Sequence, residues 1–244
     1  MLIDINIDTG EGFNNEAKLI PLVSSCNIAC GGHAGDLNSI EEVVKIAKKN
    51  QVQIGAHPSF NDKANFGRIP MEISSSDLYI QLLTQIKRVV NIAVKHQITV
   101  AYIKPHGALY HMVCNEAKYA NVLLDIICLE MPDVKLMGLP DCIAEELAIK
   151  RQVGFIREGF ADRVYESDGS LRNRKLENSI LALKESILDQ FLKISKKQPL
   201  QSSSGKEIIV DVDSICFHGD HDCAVENIEF VVNSMKDNDL QFGI

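Results

Sequence analysis

Short apolar runs alternate with longer amphipathic segments along most of the chain. The apolar runs have the length and the β-branched content of buried strands. Strand–helix alternation of this kind is typical of right-handed βαβ units and therefore of a parallel sheet. We predict about seven such strands: LIDINI, LVSSCNIA, VQIGA, ITVAYI, VKLMG, VGFIRE and IIVDVDSICF.

The segments between these strands repeat their apolar residues with a helical period. In the segment 38–50 the apolar residues share one face, and Ser39 with Glu42 predicts a capping box. Two of these segments are long and amphipathic: SDLYIQLLTQIKRVVNIAVKH and LENSILALKESILDQFLKISKK. A third segment, LPDCIAEELAIKR, opens with Pro140, which suits the first turn of a helix. The tract KKQPLQSSSGK is predicted to be an exposed loop.

Polar clusters follow six of the predicted strands: DTGEGF, CGGHAGD, HPSFND, KPHGALYH, EGFADR and HGDHD. A doubly wound sheet concentrates its site at one switch point, whereas a barrel gathers the end of every strand into one ring. Six such strand ends favour the barrel. We therefore predict that residues 1–244 form a single domain, a distorted TIM-like (β/α) barrel with about seven parallel strands.

Composition narrows the classes of function. The chain has 25 Lys and Arg against 33 Asp and Glu, a formal charge of -8, which argues against nucleic acid as a partner. No apolar run approaches the roughly 20 residues that a membrane span needs. The start MLIDINID has no basic segment of a secretory signal, and the seven cysteines are an odd number, which favours free thiols. We expect a cytoplasmic protein without membrane association.

The first polar cluster lies on one side of the first predicted strand. Asp4, Asn6 and Asp8 alternate with isoleucines, so they face the barrel interior or its mouth. A satisfied polar network is the alternative to a functional role, which we favour for Asp8 at the strand end. Glu11 is a candidate second carboxylate.

The next two clusters carry glycine, histidine and arginine. Gly31 allows close approach of a ligand, and His33 follows it, whereas Asp36 is better explained as a helix cap. His57 comes directly after a strand and before a proline, and Arg68 on the same loop could bind a carboxylate. A packed core histidine is the alternative for His57.

The stretch KPHGALYH places Lys104 near the predicted barrel mouth, with His106 two residues further on. A cation and a titratable imidazole together could polarise a carbonyl and move a proton. The alternative is a surface lysine and a loop histidine.

The last two clusters leave more than one interpretation open. An internal Asp162–Arg163 pair is the alternative to functional roles in the first cluster, which also carries Glu158 and Arg174. In the second, His218 and His221 with the neighbouring aspartates 220 and 222 could bind a metal. The chain has no HExxH, no paired CxxC, no GxSxG and no GxxxxGK[ST], so it has no recognisable ATP site of its own.

Six motifs, in order and across nearly the whole chain, resemble the LamB/YcsF family: DINIDTGEGF, SCNIACGGHAGD, IGAHPSFND with FGR, KPHGALY, EGFADRVYESDGSLRNR and CFHGD. The resemblance implies a distorted barrel related to the glycoside hydrolase and polysaccharide deacetylase barrels. It also implies ATP-dependent opening of the 5-oxoproline lactam to L-glutamate, carried out together with 5-oxoprolinase subunits B and C.

The resemblance is carried over only to positions that match the motifs. The implied catalytic residues are Asp8, Glu11, His33, His57, Lys104, His106, Asp162, His218 and Asp220. The implied substrate-binding residues are Asn6, Asn27, Gly31, Arg68, Arg163 and Arg174. Asp8, His57 and His106 are also candidate ligands of a divalent metal. The chain departs from the family pattern at Ile69, His111 and His221, and the last departure weakens a metal role for His221.

5-Oxoproline is a small anion with a stable amide, so arginine or lysine suits its carboxylate and phosphorylation of its carbonyl explains an ATP requirement. Without a P-loop, this chain would leave the nucleotide to its partner subunits. Two alternatives stay open: a metal-dependent deacetylase or amidohydrolase, and a non-catalytic subunit that binds substrate for its partners. A homo-oligomer is also left open.

Overall fold

The computed structural model describes residues 2–220 and 223–243. His221 and Asp222, and with them the metal role suggested for His221, lie outside the described residues. Ten strands occur in the described ranges: β1 (Leu2–Thr9), β2 (Ser25–Ala29), β3 (Gln53–His57), β4 (Val100–Ile103), β5 (Lys135–Gly138), β6 (Phe155–Phe160), β7 (Leu200–Gln201), β8 (Glu207–Ile208), β9 (Ser214–Phe217) and β10 (Gln241–Phe242).

Seven of these described strands close into a parallel barrel. Their order is β1-β2-β3-β4-β5-β6-β9, and β9 pairs again with β1, where Ile7 lies opposite Phe217. On its other side β1 pairs with β2, where Asp8 lies opposite Asn27. The prediction of a seven-stranded parallel barrel is therefore confirmed. The short β10 pairs with β1 outside the closed ring.

The helices of the described ranges surround this barrel. They are α1 (Glu16–Leu19), α2 (Leu37–Asn50), α3 (Ser75–Lys95), α4 (Gly107–Asn115), α5 (Ala117–Glu130), α6 (Ile143–Lys150), α7 (Lys184–Ser195) and α8 (Ala224–Met235). α4, α5 and α8 were not predicted. α5 buries residues on more than one side, so its polar residues Lys118, Asn121 and Asp125 form only a narrow stripe. None of the described helices is long and apolar enough to cross a membrane.

Several boundaries differ from prediction, and Pro140, predicted for a first helical turn, precedes α6, which begins at Ile143. The helix predicted from residue 176 begins only at Lys184, because residues 176–183 form turns and an isolated bridge to Arg163. The strand predicted over residues 208–217 is two elements: β8 pairs antiparallel with β7, and β9 starts at Ser214. The tract predicted as a loop therefore contains part of a small hairpin.

The start of α2 corrects the predicted capping box. Asp36 is the N-cap, and its side chain accepts hydrogen bonds from the backbone amides of Asn38 and Ser39, both at 2.9 Å. Ser39 completes the box by accepting from the Asp36 amide at 2.8 Å. The pairing of Ser39 with Glu42 is wrong because the helix begins two residues before Ser39, whereas the cap expected at Asp36 is confirmed.

The alternation along β1 separates core from site. Ile5 and Ile7 are fully buried in the hydrophobic core, while Asn6 between them bonds side chains of neighbouring barrel strands. All seven cysteines are free, as the odd count predicted. The polar side chains of β1 therefore lie in the interior of the barrel and at its mouth.

Candidate active site

A pocket of about 540 Å³ lies at the mouth formed by the carboxyl ends of the strands. Its volume falls within the range of small-molecule sites. Ten of the fifteen predicted site residues, all of which lie within the described ranges, line it: Asp8, Glu11, His57, Arg68, Lys104, His106, Arg163, Arg174, His218 and Asp220.

A buried cation lies between two carboxylates at the floor of this pocket. Lys104 Nζ lies 2.9 Å from Asp8 Oδ1 and 2.8 Å from Glu158 Oε1. Burial lowers the pKa of Lys104, but Asp8, Cys216 and Glu158 outweigh burial and hold this pKa well above its usual value. Lys104 is only 2% exposed, so it lies below the rim position that the sequence predicted.

The two carboxylates beside Lys104 have opposite pKa shifts. Burial raises the pKa of Asp8, but His57 and Lys104 more than compensate and hold it well below its usual range. Burial raises the pKa of Glu158, and Lys104 opposes this only in part. One cation therefore keeps Asp8 ionised, and Glu158 is the carboxyl that accepts a proton more readily.

Asn6 and Asn27 do not line the pocket but hold Asp8 from below. Asn27 Nδ2 donates to Asp8 Oδ1 at 2.8 Å and to Asn6 Oδ1 at 2.7 Å. Asn27 Oδ1 accepts from the Tyr102 hydroxyl at 2.7 Å, and Asn6 donates to Ser214 at 2.8 Å. Both amides are fully buried and orient the Asp8 carboxylate.

A second group at the pocket floor combines three imidazoles and one carboxylate. Glu11, His33, His57 and His106 each offer one ligand atom, and these atoms all lie within 4.8 Å of one another. His33 Nε2 lies 2.9 Å from Glu11 Oε1, and the His33 ring stacks on His106 with 3.7 Å between centroids. Side chains of these types could hold a divalent metal ion. Of the three candidate ligands from the sequence, His57 and His106 belong to this group, whereas Asp8 lies beside it, with Oδ1 3.6 Å from His57 Nε2.

Burial sets the protonation of this group. It lowers the pKa of His57 to about 3, despite the attraction of Asp8, and it holds the pKa of His106 well below its usual value. Burial also raises the pKa of Glu11, and the charge of Asp8 adds to this. His57 and His106 are therefore neutral near pH 7 and act there as proton acceptors or ligands rather than as acids.

The KPHG stretch reaches the site through a tight turn at the start of α4. Gly107 has φ +56°, and a Cβ there would lie 2.6 Å from the Gly67 carbonyl oxygen. The same carbonyl accepts from the Ala108 amide at 3.0 Å. Glycine at this position lets the loop that carries Lys104 and His106 pack on the loop that carries Arg68.

Asp162 pairs with His218 rather than with its neighbour Arg163. Asp162 accepts from the His218 amide at 2.8 Å and lies 2.9 Å from His218 Nδ1. Burial raises the pKa of Asp162, but His218 outweighs it and lowers this pKa to about 2. His218 lines the pocket and Asp162 lies behind it, so Asp162 orients the imidazole.

The arginines divide into a rim pair and a loop anchor. Arg68 Nη2 lies 2.7 Å and Arg174 Nη1 lies 3.6 Å from Asp220 Oδ2. Arg163 is 3% exposed and donates to the backbone carbonyls of Arg172 and Ser179. Two guanidiniums on one carboxylate leave a positive charge at the rim, where an anion can bind.

Gly31 is a residue of the loop after β2 and does not line the pocket. Its φ is +90°, and a Cβ there would lie 2.6 Å from Nη1 of Arg88, which donates to the Cys30 carbonyl at 3.1 Å. Sequence reasoning named Glu158 but gave it no role. The alternation of β6 places Glu158 on the same side as Phe160, which lines the pocket, although Glu158 itself lies below the lining, and this alternation was the available signal.

The closed parallel barrel has carboxylates, imidazoles and arginines around a pocket at its strand ends, which is where (β/α) barrels carry their functional sites. The chain belongs to the LamB/YcsF family, which matches residues 3–243. It is 37% identical over 239 residues to the A subunit of 5-oxoprolinase from Haemophilus influenzae (strain PittEE), covering 98% of both chains.

Solved structures agree with this assignment. A lactam utilization protein from Thermus thermophilus superposes with a TM-score of 0.92 at 30% identity, covering 100% of this chain and 99% of that one. A family 4 carbohydrate esterase from Streptomyces lividans superposes with a TM-score of 0.51 at 8% identity, covering 100% of this chain and 92% of that one. The second likeness concerns the fold alone.

Proposed function

We propose that this chain is the lactam-opening subunit of an ATP-dependent 5-oxoprolinase, which converts 5-oxo-L-proline to L-glutamate together with subunits B and C. The names of the 37%-identical relatives and of the lactam utilization protein support the substrate. The observation that carries the proposal is the pocket itself, in which an ionised carboxylate and a buried cation lie below an arginine rim.

The residues suit a small anionic lactam. The Arg68–Arg174 pair at the rim would bind an anionic group of the substrate, and Lys104 at the floor would attract negative charge that develops on the reacting carbonyl. Asp8 would accept a proton from water, and in the metal-free pocket the lone pair of His106 or His57 could do so as well. His218, oriented by Asp162, is a further proton carrier on the pocket wall.

The stability of an unstrained amide explains the ATP requirement. Transfer of the γ-phosphoryl group to the lactam oxygen makes the ring carbon attackable by water, which gives up a proton to a pocket base. The C–N bond then breaks, its electron pair and a proton go to nitrogen, and an acyl phosphate remains. A second water hydrolyses the acyl phosphate to glutamate and phosphate. The chain has no GxxxxGK[ST] motif, so nucleotide binding is assigned to the partner subunits.

Reconstitution tests this proposal. The purified chain with ATP and 5-oxoproline is expected to produce no glutamate, and the chain mixed with subunits B and C is expected to produce glutamate and ADP together. Robust 5-oxoproline-dependent ATP turnover by the isolated chain would contradict the assignment of the nucleotide to the partners. Failure of the complete mixture to open the lactam would contradict the function.

A metal-dependent amidohydrolase or deacetylase is the second candidate, and the Glu11–His33–His57–His106 group favours it. Such an enzyme would hydrolyse its amide without ATP. A non-catalytic binding subunit is separated from both enzymes by Asp8→Asn, which would leave turnover of the complex unchanged only if this chain takes no part in the chemistry.

A further inference from the structure

The protons of two buried imidazoles are placed by backbone carbonyls. His57 Nδ1 lies 2.7 Å from the carbonyl oxygen of Lys104, and His106 Nε2 lies 3.0 Å from the carbonyl oxygen of Phe66. A carbonyl oxygen can only accept, so both of these nitrogens carry the proton and donate it. In the neutral rings the opposite nitrogens, His57 Nε2 and His106 Nδ1, then bear lone pairs.

These two lone-pair nitrogens face each other at 3.0 Å. With the ring protons on the opposite nitrogens, neither can donate to the other, so the short separation favours a positive species between or beside them. Histidine ligands of metals usually donate their second ring N–H to a carbonyl or carboxylate, which fixes the tautomer and the ring orientation. His57 and His106 both already donate their second ring N–H to a backbone carbonyl.

Glu11 adds a carboxylate oxygen at distances from the two nitrogens that suit a shared metal ion. Its Oε1 atom lies 3.5 Å from His106 Nδ1 and 3.9 Å from His57 Nε2. Four ligands placed tetrahedrally at ~2.1 Å from Zn²⁺ are about 3.4 Å apart. The three separations of 3.0, 3.5 and 3.9 Å bracket this value, so the three donor atoms form one face of a coordination tetrahedron with small adjustment.

His33 holds the carboxylate in this position. Its Nε2 atom lies 2.9 Å from Glu11 Oε1, while its Nδ1 atom is buried and has no hydrogen-bond partner among the described residues. Glu11, His57 and His106 all line the pocket, whereas His33 does not. A fourth coordination position would therefore open towards the pocket, as in catalytic rather than structural metal sites.

We propose that His57 Nε2, His106 Nδ1 and Glu11 Oε1 bind one divalent transition-metal ion of the Zn²⁺ type, with His33 positioning Glu11. Two imidazoles and one carboxylate suit Zn²⁺ and Co²⁺, and they suit Ca²⁺ or Mg²⁺ poorly. Such an ion supplies a Lewis acid for a carbonyl oxygen. This role in lactam opening rests on the proposed function, whereas the binding of the ion does not.

Metal binding by the isolated chain tests the proposal without lactam, ATP or partners. The purified chain is stripped with a chelator and titrated with Zn²⁺ in a calorimeter, and its Co²⁺ form is examined by visible absorption. We expect one equivalent to bind, with the intense absorption of low-coordinate Co²⁺. His57→Gln and His106→Gln should each weaken binding by more than the roughly 10- to 100-fold that follows loss of an outer partner.

His96→Gln is the matched control. His96 Nε2 lies 3.2 Å from Glu41 on the surface, so it is a histidine–carboxylate pair outside the pocket. Its substitution should leave Zn²⁺ affinity within about twofold of wild type, which is less than the roughly tenfold loss that a change of 1.4 kcal/mol produces. Thermal midpoints of the metal-free variants establish that each is folded before titration.

The proposal is overturned if the stripped wild type binds no Zn²⁺, or binds it no more tightly than His57→Gln and His106→Gln do. Either result would mean that the two rings do not hold an ion at this position. If Zn²⁺ binds as expected but the complete complex does not open 5-oxoproline, the metal site stands and the proposed function fails. The two proposals therefore fail separately.

Discussion

Replacement of Lys104 by methionine removes the cation at the pocket floor with little change in the length of the side chain. Lys104 Nζ contacts Asp8 at 2.9 Å and Glu158 at 2.8 Å, and its side chain is 3% exposed. Lys104→Met therefore leaves two buried carboxylates without their shared partner. We expect losses of both turnover and stability, because the lysine is buried rather than at the rim.

The two carboxylates bear this loss unequally. Asp8 keeps the hydrogen bond from Asn27 at 2.8 Å, whereas neither oxygen of the fully buried Glu158 forms a well-aligned hydrogen bond among the described residues. Breaking a buried ion pair from one side costs about 3–5 kcal/mol. In a protein of this size about 3 kcal/mol corresponds to a drop of roughly 6–12 °C in thermal midpoint.

A double variant separates the electrostatic cost from a packing cost. Lys104→Met with Glu158→Gln removes the uncompensated charge and should recover most of the midpoint lost by Lys104→Met, while lactam opening stays absent. The recovery is measured by calorimetry at pH 7, and turnover by glutamate formation in the complete complex. Glu158→Gln alone is the control for the second substitution.

The pH dependence of stability is an independent test of the charge on Glu158. Without Lys104, the folded-state pKa of Glu158 lies above its unfolded value, so burial of its charge destabilises the fold at high pH and protonation relieves this as the pH falls. The difference in thermal midpoint between Lys104→Met and the double variant should therefore become smaller from pH 8 to pH 5. If Lys104→Met melts within about 2 °C of wild type, which corresponds to a stability loss of less than about 1 kcal/mol, the reasoning is refuted.

Three further predictions concern separate parts of the site. His106→Gln should reduce lactam opening by about 100- to 10,000-fold in the complete complex while the chain stays folded, and normal turnover would contradict a role for His106 in the reaction. Asp162, with its pKa lowered to about 2, should contribute about 2 kcal/mol to stability above pH 4 that is lost as the pH falls towards 2. Asp162→Asn should show a flatter stability profile there in chemical unfolding, and an equally steep profile would contradict the pair. Cys30 is fully buried, and burial raises its pKa to about 12, so thiol reagents should leave turnover intact, and substrate-protected labelling of Cys30 would contradict this.

The barrel and its mouth were predictable because they depend on local patterns. Alternation along β1 separated Asn6 and Asp8 from their isoleucine neighbours, and polar clusters after strands located the pocket. α4 and α5 escaped prediction for a physical reason. α4 begins at Gly107 directly after the loop that carries Lys104 and His106, and the polar residues of α5 form only a narrow stripe, so neither helix has a polar face in the usual proportion.

Specific partners were less predictable than positions. Sequence proximity suggested an Asp162–Arg163 pair, but Arg163 instead donates to the backbone carbonyls of Arg172 and Ser179. Asp162 instead meets His218, 56 residues later in the chain, because β6 and β9 are neighbours in the barrel. Sequence distance carries little information about pairing once a parallel barrel brings distant strand ends together.

The imidazole pair marks the limit of what the pattern can specify. His57 ends β3 and Lys104 follows the neighbouring β4, so the topology alone brings His57 and His106 to one edge of the barrel, although they are 49 residues apart. Which nitrogen of each ring faces the pocket depends on the carbonyl oxygens of Lys104 and Phe66, and backbone acceptors have no signature in the sequence. A chain could keep both histidines and lose the facing lone pairs if the loop at Phe66 moved away. The chemistry of this site is therefore set by two loop backbones as much as by the histidines themselves.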